Sequence, residues 1–138
     1  MVLLNLSASF TVVAETEEPR PVTHFLIDAS GSMKEEIPRA KQVIAARSEL
    51  LGSSDWKAFT YFGGKSEFND HPVGCQDEVV VSSPVPRDAD NLDFPRLGGS
   101  QDKTSIGQGL IAVLENLSAN SSIVLITDGS EECNSDFL

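Results

Sequence analysis

Positive charge is scarce in this chain. Ten Lys and Arg stand against 21 Asp and Glu, a formal net charge of −11 at pH 7. A body this acidic repels polyphosphates and anionic headgroups, which argues against nucleic acid or an acidic membrane as a partner. Long apolar runs are also lacking. The uncharged start, Met1 to Ala14, is broken by Asn5 and two serines. It falls short of the roughly 20 apolar residues that a membrane-crossing helix needs, so no membrane insertion is expected. Histidine and cysteine number two each. No Ser-His-Asp or Cys-His arrangement stands at a recognisable spacing, which leaves nucleophilic catalysis without candidate residues. There is no internal repeat and no low-complexity tract.

What is present is one domain's worth of chain, 138 residues of which 40% are hydrophobic, enough for a single buried core. Val12-Val13-Ala14 fits a signal-peptidase site, and Glu15, Glu17 and Glu18 follow it, but no basic segment precedes it. Residues 1–14 therefore read as a short secretory signal or, alternatively, as an extra edge strand. With a signal there, 15–21 is a linker, 22–138 is the domain, and the location is extracellular or periplasmic. Cys75 and Cys133 are compatible with one disulfide or with two free thiols, since parity alone decides little.

Along the chain, Val22 to Asp28 is a short apolar run that ends abruptly at Ala-Ser-Gly-Ser, the pattern of a buried strand opening into a loop. From Ile37 to Leu51, apolar residues at Ile37, Ala40, Val43, Ile44, Leu50 and Leu51 recur at helical spacing. Pro38 is tolerated in a first turn and Gly52 is a fitting stop. Trp56 to Phe62 is a second strand closed by Gly63-Gly64, and Glu78 to Ser82 is a third. Ser83 to Ser100, with three prolines, reads as loop. Ser105 to Leu117 predicts a second helix with Ile106, Leu110, Ile111, Leu114 and Leu117 on one face. Ser122 to Thr127 is a fourth strand, ending at Asp128-Gly129. This β-α-β-β-α-β order implies a mostly parallel α/β sheet with helices on its faces, and the short link between the second and third strands permits an antiparallel edge strand.

In open α/β sheets, sites form at the carboxyl ends of strands, where the strand order reverses. Asp28-Ala29-Ser30-Gly31-Ser32 ends the first strand and Thr127-Asp128-Gly129 the fourth. If these strands are neighbours, Asp28 and Asp128 meet across the crevice, and Thr104 approaches from the loop entering the second helix. Two carboxylates and three hydroxyls, with no His or Cys, form an oxygen-only set that favours Mg²⁺, Mn²⁺ or Ca²⁺ over zinc. With so few charged ligands the cation would stay electrophilic enough to accept one more carboxylate. The competing explanation for Asp-x-Ser-x-Ser alone is an Asx turn or a helix cap.

Asp28, Ser30, Ser32, Thr104 and Asp128, taken in order, resemble the metal-ion-dependent adhesion site of von Willebrand factor type A (VWA) domains. Gly98-Gly99 followed by Thr104-Ser105-Ile106-Gly107 is similar to that family's Gly-Gly-Thr-Pro-Ile-Gly loop, with an insertion and with Ser105 in place of proline. The resemblance implies a Rossmann-like, doubly wound fold. It implies that the Ser30 and Ser32 hydroxyls ligate the cation directly, that Asp28 and Asp128 act through water, and that Thr104 alternates between the two modes. It further implies that a protein partner completes the coordination with a Glu or Asp. The partner-facing rim would hold Gly63, Gly64, Ser105 and Glu131. Gly74-Cys75-Gln76-Asp77-Glu78 and Glu131-Glu132-Cys133 are similar to segments of bacterial secreted members, which implies a Cys75–Cys133 disulfide. A loop that long contributes about 4 kcal/mol by the chain-entropy argument. Whole domains of the family continue through two further strands, so the resemblance covers residues 22 to about 137 and implies either a fragment or a fourth strand whose edge something must cover.

Other signals fail on residue identity. Gly63-Gly64-Lys65-Ser66 would need glycine at position 59 to be a phosphate-binding loop, and that residue is Phe59. A calcium loop starting at Asp28 would need glycine at 33 and glutamate at 39, which are Met33 and Arg39. His24, in the first strand, is expected to be a packed or edge histidine and not a catalyst. The functional expectation is thus a cation-dependent protein-binding module, not an enzyme, with a self-associating structural fragment as the rival. A metal-dependent hydrolase is a third option that lacks a base near Asp28. Oligomeric state is open at this stage.

Overall fold

A computed structural model describes residues 20–63, 79–89 and 105–129. The expected signal at 1–14, Gly64, Cys75, Thr104, Glu131 and Cys133 all lie outside the described residues. Within them the chain forms a mixed, mostly parallel α/β sheet. Strand β1 is Val22–Asp28, helix α1 is Ile37–Glu49, β2 is Trp56–Phe62, β3 is Val80–Val81 and β4 is Val85–Pro86. Helix α2 is Ile106–Glu115 and β5 is Ser122–Ile126. A 3-10 turn, Gly31–Glu35, links β1 to α1. Among the described residues no helix is long and apolar enough to cross a membrane.

β1 lies at the centre, with β2 parallel on one side and β5 parallel on the other. The strand order is β3-β2-β1-β5, so the chain moves outward in one direction after β1 and returns to β1's other flank with β5. The short strands β3 and β4 both run antiparallel to β2 and form its outer edge. They are separated at Ser82, whose backbone N–H donates to the Phe59 carbonyl at 2.8 Å while its hydroxyl accepts the Phe59 N–H at 2.9 Å. β4 corrects the expectation of unbroken loop after Ser83. A proline inside a strand is tolerated at an edge, where its missing N–H can face outward, and Pro86 stands in such a short strand opposite Trp56.

The side-chain alternation of β1 divides the core in two. Phe25 and Ile27 pack with Phe59, Tyr61 and Ile44 of α1 on one face, the Phe25 and Phe59 rings stacking at 5.6 Å. Leu26 packs with Phe62 and with Val113 of α2 on the other. The helices therefore cover opposite faces, and β1 is buried at every position after Val22, its polar residues Thr23, His24 and Asp28 included. His24 sits in this strand at 4% exposure, and burial pushes its pKa below the usual histidine value.

The orientation of α2 differs from the expected one. Ile106, Leu110 and Val113 face the sheet, whereas Ile111, Leu114 and Leu117 are exposed. The helix is apolar nearly all round, so two stripes of helical spacing compete. Gly109 decides between them. A Cβ there would lie 2.8 Å from both Leu26 Cδ1 and Phe62 Cδ1, so the glycine face is the one that approaches the sheet most closely. In α1, likewise, Ala40 and Ile44 are buried while Val43 is exposed, as is Leu50 just after the helix.

Candidate functional site

Adjacent parallel strands bring their carboxyl ends to the same edge, and β1 and β5 do so with Ile27 paired to Ile126. Asp28 closes β1 and is fully buried. Its Oδ1 accepts the Ser30 backbone N–H at 2.8 Å, and its Oδ2 accepts the Thr127 hydroxyl at 2.7 Å. The first bond is an Asx turn of the kind many loops form. The second spans 99 residues of sequence and ties the two strand ends together. Thr127 was not among the expected site residues. The signal for it was its place as the last residue before Asp128, beside the end of β1.

From Asp28 the cluster runs outward to solvent. The Ser30 hydroxyl is 3.1 Å from the Ser32 hydroxyl, and Ser32 donates to Asp128 Oδ1 at 3.1 Å. Ser30 precedes the 3-10 turn yet makes no side-chain cap bond, and its hydroxyl meets the Ser32 hydroxyl instead. Asp28 and Ser30 are buried, while Ser32 and Asp128 are exposed. The structure thus gathers Asp28, Ser30, Ser32 and Asp128 at the reversal of strand order. Thr104 lies outside the described residues, next to Ser105 at the start of α2.

Gly63 shapes the floor. Its φ is +73°, and a Cβ on it would lie 3.1 Å from Asp28 Oδ1 and 3.2 Å from Ser30 N. The N–H of Ala29 donates to the Phe62 carbonyl at 2.7 Å, so pairing between β1 and β2 continues beyond the last strand residue and fixes this glycine against the aspartate. The expected rim is in part turned inward, since both Gly63 and Ser105 are buried, Ser105 at 1% exposure. The Ser105 hydroxyl is also without a hydrogen-bond partner. Beside Asp128, a groove of about 470 Å³ runs between α1 and β5, lined by Met33, Arg39 and Leu125 among others.

No protein-family model matches this chain, and none of the curated proteins is detectably similar to it. Function must therefore be inferred from the cluster itself. Among the described residues there is no group of three or more His, Cys, Asp and Glu that could hold a metal ion. A cation at this strand end would rest on two carboxylates and on hydroxyl oxygens, a donor set suited to hard divalent ions and poor for zinc. Among the described residues no Lys, Arg or His takes part in the cluster's hydrogen bonds, and Asp28 is held by a backbone N–H and a hydroxyl.

Proposed function

We propose that the chain is a VWA-like module that holds one divalent cation, Mg²⁺ or else Mn²⁺ or Ca²⁺, at Asp28, Ser30, Ser32 and Asp128, with Thr104 as a fifth candidate. The observation that carries this is the convergence of the two aspartates and two serines: Ser30, Ser32 and Asp128 are joined by 3.1 Å contacts, the last spanning 96 residues of sequence, and Asp28 accepts the Ser30 backbone N–H at 2.8 Å. Strand order and helices on opposite faces of the sheet are the arrangement that a Rossmann-like VWA domain requires. When bound, the cation would supply an electrophilic position for a Glu or Asp of a protein partner. The protein's own residues would orient the site: Thr127 and the Ser30 N–H hold Asp28, and Gly63 leaves room beside it. A partner approaching this acidic molecule would be favoured by a basic surface around its carboxylate. The function is read as binding and not catalysis, because among the described residues the cluster holds no histidine or cysteine and its hydroxyls and carboxylates are engaged with one another. A secreted location follows from the same reading.

The test is a thermal melt of the full chain with Mg²⁺, Mn²⁺ or Ca²⁺ and with EDTA, beside Asp28→Ala. A cation at about 100 times its dissociation constant stabilises the native state by roughly 2.7 kcal/mol, a rise on the order of 10 °C for a domain of this size. The comparison is made within each variant, so a weaker mutant fold does not obscure it. Equal melts with every ion and with EDTA in the wild type, or a rise that survives in Asp28→Ala, would sink the proposal.

A second reading is self-association through the sheet. It is favoured by β5, which among the described residues pairs with β1 alone and carries Leu125 at 43% exposure. Association of that kind would be indifferent to EDTA.

A further inference from the structure

At the opposite end of the sheet lies a cavity that plays no part in the cation site. It measures about 430 Å³, within the usual range for a small-molecule pocket of roughly 300–1,000 Å³. Its floor is Ile44 of α1 and the Phe59 ring of β2. Lys57 lines it as well, five residues before the end of β2 and so about 17 Å from the Asp28 end at strand rise.

Lys57 is the anomaly. Along β2 the residues 57, 59 and 61 alternate onto the face that α1 covers, and Phe59 and Tyr61 form the core there. The pattern calls for an apolar residue at 57, yet the position holds a lysine with 8% exposure. Lysine is almost never this buried without a partner. The contact its ammonium makes is with the face of Phe59, 6.0 Å to the ring centroid. Arg87, just after β4, reaches the same cavity. It donates through Nη1 to the Leu51 carbonyl, one of the five N–H donors that a guanidinium carries. Glu49 and Asp88 also line the cavity but are exposed, so solvent screens them more than it screens Lys57.

We propose that this cavity binds a small organic monocarboxylate with an apolar body. The carboxylate sits against Lys57 and Arg87, and the body rests on Ile44 and Phe59. The exposed Glu49 and Asp88 at the mouth select against a second negative charge on the ligand.

The test is a titration of the ¹⁵N-labelled full chain with 3-phenylpropionate, with 2-phenylethylamine and phenylsuccinate as the cationic and dianionic counterparts. For 3-phenylpropionate, amide shifts should be confined to residues 44–49, 57–59 and 87–89 and saturate at millimolar concentration. They should persist in EDTA and weaken by tenfold or more in Lys57→Met, the loss expected for one charge-assisted hydrogen bond. If Lys57→Met does not fold, Ala45→Phe serves instead, because Ala45 is exposed on α1 and its enlargement narrows the cavity. The proposal is overturned by equal affinity in a folded Lys57→Met or Ala45→Phe chain, or by no shifts with 3-phenylpropionate. It is equally overturned if the amine or the dianion binds as tightly as the monocarboxylate.

Discussion

At position 63 the backbone adopts a φ of +73°, which costs a side-chain-bearing residue on the order of 1–2 kcal/mol. Gly63→Ala would add a methyl group 3.1 Å from Asp28 Oδ1, so the aspartate must also yield. We expect the variant to lose about 1–3 kcal/mol of stability in chemical denaturation and, if the proposed cation site is right, to show a smaller melting shift with Mg²⁺ than the wild type. His24 gives a pH dependence. Its folded-state pKa is lowered by burial, so the unfolded chain takes up the proton more readily. The stability that neutral His24 contributes is present above the ordinary value of 6.5 and is lost as pH falls through 6.5 toward the lowered folded value. Denaturation midpoints between pH 7.5 and 5.5 should fall for the wild type and flatten in His24→Leu. The convergence of Asp28, Ser30, Ser32 and Asp128 was legible in the sequence because each stands at a strand end and the order of elements brings those ends together. The burial of Gly63 and Ser105 was not, because it depends on how closely α2 and the end of β2 approach β1, which no local pattern records.

Among the elements, α2 shows most clearly where periodicity stops being informative. Its bounds could be read to within two residues, and so could those of α1, β1, β2 and β5. Its inward face could not, because Ile111 and Leu114 are as apolar as Leu110 and Val113. Only the contact of Gly109 with Leu26 and Phe62 separates the stripes. Gly109→Ala therefore sets two effects against each other. Alanine gains about 1 kcal/mol in helix propensity. A methyl group 2.8 Å from two buried side chains costs roughly 1–3 kcal/mol in overpacking. The packing cost should win, giving a lower melting temperature, whereas a glycine in an exposed helix would give a higher one. The antiparallel edge of β2 was partly legible. Val80–Val81 lies inside the expected third strand, but Val85–Pro86 was hidden, since serine and two prolines around it carry the signature of a loop. Its pairing is decided by the edge position, which is a tertiary fact.

For the molecule as a whole, two opposing influences act on self-association. Among the described residues β5 pairs with β1 alone, and such an edge would offer backbone groups to another strand, while the net charge of −11 drives copies apart. Salt shortens the screening length from about 30 Å at 0.01 M to about 8 Å at 0.15 M, which weakens the repulsion and leaves the edge unchanged. If β5 is the contact, sedimentation should show association that grows with salt, ignores EDTA, and disappears in Leu125→Lys. The central place of β1 also has a consequence during synthesis. The Thr23 hydroxyl meets Ser122, its neighbour across the β1–β5 pair, 99 residues further along the chain. At a translation rate of roughly 5–20 residues per second, the most buried strand among the described residues emerges about 5–20 s before one of its two flanking strands exists. During that interval β1 is a sticky nascent segment with one side open, and a cell that slows elongation or supplies a holding chaperone should recover more folded protein.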